Sequence, residues 1–144
     1  MKLFFKALLI SLISVLSMQV SAGAAGGPKP RYFVDESKLP FVAIPGVEAY
    51  WGVYARAGYR IEVPDNWNGS LVVWAHGFRG SGLDLTVDNH PLRQLLIPMG
   101  YAWAASSYDR NDYDIASGVK STHALINHFN GLVGKPSQIL MTEI

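Results

Sequence analysis

Two runs of five consecutive apolar residues, Leu71–Ala75 (LVVWA) and Tyr101–Ala105 (YAWAA), constrain this chain more than any other feature. A strand with one face in water alternates apolar and polar side chains. An unbroken apolar run therefore belongs to a strand covered on both faces, the situation found in parallel sheets flanked by helices. A third, shorter run is Ile139–Met141. Between the first two lies Pro91–Met99 (PLRQLLIPM), a short helix candidate that begins at Pro91, where a missing N–H costs nothing, and ends at Pro98. Between the second and third, Ile115, Val119, Thr122, Ile126, Phe129 and Val133 recur at spacings of three and four, which predicts a long helix with one apolar stripe. Asp112 or Asp114 can cap its first turn, and Gly131, Gly134 and Pro136 terminate it.

Upstream, Ala49–Val63 is rich in Tyr, Val and Ile around Gly58, which predicts two antiparallel strands joined by a turn. Pro64–Gly69 then concentrates turn formers. The order is hairpin, strand, helix, strand, helix, strand. Alternation of that kind implies an α/β fold with right-handed crossovers: a mostly parallel sheet with an N-terminal antiparallel hairpin and flanking helices.

The first 22 residues differ from the rest. Lys2 and Lys6 precede an apolar run, Ala7–Val20, which gives way to small residues. Those three regions describe a secretory signal peptide, with cleavage expected after Ala22. The apolar run falls short of the ~20 residues needed to span a bilayer, so no stable membrane anchor is expected. Residues 23–31, mostly Gly, Ala and Pro, read as a flexible leader, and residues 32–144 as the folded domain. Once Lys2 and Lys6 are removed, 10 of the 12 basic residues stand against 11 acidic ones, a formal charge of −1. Nucleic acid, which requires clustered Lys and Arg, is excluded as a partner. An exported chain without cysteine fits a periplasmic or secreted location without disulfides, and thiolate metal sites are excluded as well.

In α/β sheets, sites form at the carboxyl ends of the strands. There, after Ala75, the chain reads His76-Gly77-Phe78-Arg79-Gly80-Ser81-Gly82, with three glycines that let backbone N–H groups turn toward a bound group. The segments WNGSLVVWAHGFRGSG, LLIPMGYAWAASSYDRNDYDIASGVKST and GKPSQILMTE, taken in order, resemble the front half of secreted α/β-hydrolases of the serine esterase and peptidase kind, across about Tyr50–Glu143. The resemblance implies hydrolysis of an ester or amide substrate outside the cytoplasm, with no cofactor. It further implies that the backbone N–H of Phe78, or alternatively of Arg79, is one of two oxyanion donors, that Gly77 permits its orientation, and that the His76 side chain shapes the turn. Members of that family carry the nucleophile in Gly-x-Ser-x-Gly, followed by an acid and a histidine. No Gly-x-Ser-x-Gly occurs here. Laid on that elbow, Thr142 stands where Gly is usual, Glu143 at x and Ile144 where the Ser belongs. The chain is thus expected to be an incomplete domain, inactive as it stands, with an open sheet edge at Ile139–Thr142. The alternative is a noncatalytic exported binding module.

Other chemistry-bearing residues have plainer readings. Ser106 and Ser107 lack Gly-flanked elbow geometry and read as polar strand ends. Asp109, Asn111, Asp112 and Asp114 alternate like calcium ligands but lack the Gly and Glu of that loop, so helix capping is expected. His123 and His128 sit on different helix faces and make poor joint ligands. His90 reads as a turn residue, and Trp74 and Trp103 as core.

Overall fold

The computed structural model of the protein describes residues 31–143, so the signal-peptide reading of residues 1–22 lies outside the described residues. Five strands form one sheet in the spatial order β1-β2-β4-β3-β5: β1 Val47–Tyr54, β2 Ala57–Pro64, β3 Ser70–Trp74, β4 Ala102–Ser106 and β5 Gln138–Thr142. Helix α1 covers Arg93–Leu96 and helix α2 covers Ile115–Leu132.

The expectation of a mostly parallel sheet is overturned. Strand β3 pairs in parallel with β4 and with β5, but β2 runs antiparallel to β4 as well as to β1, so half of the pairings are antiparallel. The result is a small mixed sheet with one long helix, because the hairpin continues the sheet through β2 rather than standing apart from it. The hairpin turn is also not at Gly58. It is made by Ala55 and Arg56, both with positive φ (49° and 68°), as a two-residue turn that matches strand twist requires. Gly58 lies inside β2, where an added Cβ would come within 3.0 Å of Leu39 and 3.2 Å of Val34. The glycine is there for close packing.

Burial explains the apolar runs. All five residues of β3 and all five of β4 are buried, and the side chains divide between two cores. On one face Ile61, Val63, Leu71, Val73 and Ala104 meet Leu125 and Phe129 of α2. On the other, Val72, Trp74 and Trp103 meet Leu39, Val87 and Ile97 from the surrounding loops. Strand β5 is different: it sits at the edge, with Ile139, Leu140 and Met141 exposed.

The helix expected over Pro91–Met99 shrinks to a single turn. Pro91 lies in the preceding turn, where Arg93 N–H reaches the carbonyl of His90, and helix geometry ends before Pro98. Helix α2 is capped by Asp114, whose side chain accepts from Ser117 N–H, and Gly131 is helical rather than terminal. No helix among the described residues is long and apolar enough to cross a membrane.

Candidate functional site

A cleft of about 480 Å³ opens where β3, β4 and β5 end, between the 76–79 turn, the 108–114 loop and the N-terminal half of α2. His76, Gly77, Phe78 and Arg79 all line it, together with Ala75 before them, so the turn that follows β3 is gathered at one place. Among the described residues, none of the backbone N–H groups from Gly77 to Gly82 has a hydrogen-bond acceptor within the chain. Backbone donors left without an internal partner must be met by solvent or by a ligand. Gly77 has open space around its missing Cβ, and Phe78 is 65% exposed.

Beneath the turn the histidine is buried. His76 stacks on Tyr108, with ring centroids 4.0 Å apart and an interplanar angle of 24°, and its Nδ1 donates to the Gly77 carbonyl at 2.7 Å. That bond places the ring proton on Nδ1 and leaves Nε2 buried without a partner among the described residues. Burial holds the His76 pKa below the ordinary imidazole value, against the opposing pull of the Gly77 carbonyl. A neutral, stacked ring is a support for the turn. Tyr108 in turn donates its hydroxyl to the His76 carbonyl at 3.1 Å, which ties the 108–114 loop to the end of β3. Burial raises the Tyr108 pKa, so the hydroxyl keeps its proton.

Arg79 is engaged elsewhere: its guanidinium pairs with Asp88 and lies 5.3 Å over the Trp74 ring. The two serines at the end of β4 are also engaged. Ser107 Oγ accepts from Gly58 N–H at 2.9 Å and donates to the Tyr108 carbonyl at 2.8 Å, and Ser106 Oγ accepts from Tyr108 N–H at 3.0 Å. Among the described residues the hydrogen-bond partners of both hydroxyls are backbone groups, and neither is bonded to a basic side chain. Glu143 lines the cleft, and Ile144 lies outside the described residues.

The aspartate cluster does not gather around a common point. Asp109 is buried against Arg56 and Ser117, Asp112 takes the Tyr32 hydroxyl, and Asp114 caps α2. No group of three acidic or histidine side chains able to hold a metal exists among the described residues. His123 bonds Asn127 one turn on, while His128 stacks on Tyr54 on another side of the helix.

His90 has a larger part than that of a turn residue. It is fully buried between the Trp74 and Trp103 rings, its Nδ1 accepts from Leu92 N–H at 3.0 Å, and its Nε2 meets Thr142 Oγ1 at 2.9 Å. Since Nδ1 is an acceptor, the proton sits on Nε2 and ties the loop to the last residue of β5. Burial lowers the His90 pKa, and it lowers those of His76 and His128 likewise. For a histidine whose folded pKa is depressed, stability is complete above the unfolded value near ~6.5 and is lost as pH falls toward the folded value. The urea midpoint should therefore drop between about pH 7 and pH 5, and less steeply in His90→Phe. A midpoint that stayed level across that range would contradict the arrangement.

Comparison of the chain with known protein families, with curated proteins and with solved structures finds no match.

Proposed function

We propose that this cleft binds the carbonyl of an ester or amide and polarises it from the Phe78 backbone N–H, the carbonyl-binding part of an exported serine-type hydrolase. The observation that carries the reading is the run of unpartnered N–H groups from Gly77 to Arg79 in the wall of a largely apolar cleft at the strand ends. Preorganised donors of this kind act where negative charge develops on a carbonyl oxygen, and removing one typically lowers rate on the order of 10² to 10³. Within the described residues the chain supplies a carbonyl site and no free nucleophile with a base. By itself it should bind and not turn over, and a fluorophosphonate probe should leave Ser106 and Ser107 unlabelled.

A noncatalytic exported binding module is the second reading, favoured by the engagement of both serines in backbone hydrogen bonds. The two readings part on charge. A site shaped for hydrolysis binds the tetrahedral anion of an alkyl phosphonate monoester at least about 10²-fold tighter than the matching flat ester, whereas a simple binding module holds the two about equally. Calorimetry of both ligands decides this, and Phe78→Pro, which deletes the donor at an exposed position, should weaken phosphonate binding by about tenfold or more. Equal binding by the wild type and Phe78→Pro would end the proposal.

A further inference from the structure

Helix α2 is seated against the usual rule for an amphipathic helix. In its N-terminal half the buried residues are Ser117 and Ser121, while Ile115 and Val119 remain 65% and 66% exposed. The cause is a polar cluster under the helix. The Asp109 side chain accepts from Ser117 Oγ, Asp109 N–H donates to Ser121 Oγ at 3.1 Å, and Arg56 closes on the carboxylate from outside at 2.5 Å. Those bonds fix the rotation of α2, and they turn Ile115 and Val119 toward the cleft, where Phe78 and Met141 also stand; Ile126, which lines the cleft further along, packs on the core as well. Serines inward and branched apolar residues outward break a local rule, and such breaks concentrate where a structure is shaped for a ligand.

From this geometry we infer that the groove along α2 holds an acyl or alkyl chain that carries no negative charge and whose carbonyl lies at the Gly77–Phe78 turn. The inference rests on the carbonyl reading above and names the class of substrate for that site. The charges at the mouth disfavour an anionic chain. Arg110 and Asp114 at the mouth approach each other at 3.6 Å, Asp112 takes the Tyr32 hydroxyl, and Glu143 disfavours an anionic tail. Size selects a small molecule over a folded partner, because a cleft of about 480 Å³ falls within the range of small-ligand sites. From Ile115 to Ile126 the wall runs about 16 Å at ~1.5 Å per residue, enough for a chain of medium length.

The test is a calorimetric series of straight-chain 2-alkanones of increasing length on the full chain, with backbone amide shifts recorded alongside. Affinity should rise about fourfold per added methylene until the chain outgrows the groove. Val119→Asp, at an exposed position that folding does not need, should flatten that rise while the amides of Gly77, Phe78 and Arg79 still shift. Affinity independent of chain length with those amides shifting overturns the groove and leaves the carbonyl reading standing. A length-dependent rise without amide shifts removes the carbonyl reading and with it the placement of the chain's head. If light scattering shows a dimer that Val119→Asp dissociates, a second copy covers the groove and the inference fails.

Discussion

Glu62→Ala should lower Tm by roughly 20 °C. Glu62 is fully buried in β2, and both of its oxygens are taken. Oε1 accepts from Arg93 Nη2 at 2.6 Å and Ile44 N–H at 2.9 Å, and Oε2 accepts from Trp103 Nε1 at 2.6 Å and Arg93 Nε at 3.0 Å. Removing the carboxylate leaves an indole N–H and a backbone N–H without their acceptor, and a mostly buried guanidinium with only the Val42 carbonyl and no counter-charge. Breaking a buried pair from one side costs about 3–5 kcal/mol, because the other charge stays in the interior unpaired. Replacing both partners together is milder for the same reason, so Glu62→Leu with Arg93→Met should melt above Glu62→Ala alone. Thermal melts followed by circular dichroism check both statements. A Glu62→Ala protein that melts within a few degrees of the parent would show that the cluster contributes little.

Asp109→Ala should cost about 2–3 kcal/mol and should also damage the cleft. The Arg56 end of its ion pair is exposed, so that contact adds little in water. Most of the loss comes from Ser117, left buried without its acceptor, and from release of the rotation of α2. Burial alone would raise the Asp109 pKa, but its hydrogen bonds from Ser117 and Arg56 outweigh that and hold it below the ordinary value. A depressed carboxylate contributes stability that is present above its unfolded pKa near ~3.9 and lost as pH falls through the folded one. The acid limb of the stability curve should therefore flatten in Asp109→Ala. With α2 free to turn Ile115 and Val119 toward the core, ketone affinity should fall in step. A variant that lost stability but kept ligand affinity would separate the cluster from the cleft.

Much of the scaffold was legible in the chain. Leu71–Ala75 and Tyr101–Ala105 read as strands buried on both faces because packing on two sides leaves no position for a polar residue. Asp114 read as a cap because its side chain can reach the first free N–H groups of α2. Parallel character was overestimated because residue pattern reports burial and not strand direction: β2 carries the same kind of apolar residues whether its neighbour runs with it or against it. The turn at Ala55-Arg56 was hidden because neither residue signals positive φ, whereas Gly58 signals a turn and instead serves packing. At the candidate site, His76–Arg79 could be placed from the strand that precedes them. The cleft wall could not, since Ile115 and Val119 continue the stripe of Ile126, Phe129 and Val133 and look like ordinary core. The available signal was the pair Ser117 and Ser121, four residues apart and eight or more beyond Asp109, a spacing that lets the Asp109 carboxylate take one serine and its backbone N–H the other.

The most direct measurement is backbone amide mapping by NMR with a short alkyl phosphonate monoester added to the full chain. The expected result is that the largest shifts fall on Gly77, Phe78 and Arg79, with smaller ones along Ile115–Ile126. Shifts that cluster on β5 or the hairpin, with the 77–79 amides unmoved at saturation, would contradict the assignment of this turn as a carbonyl site.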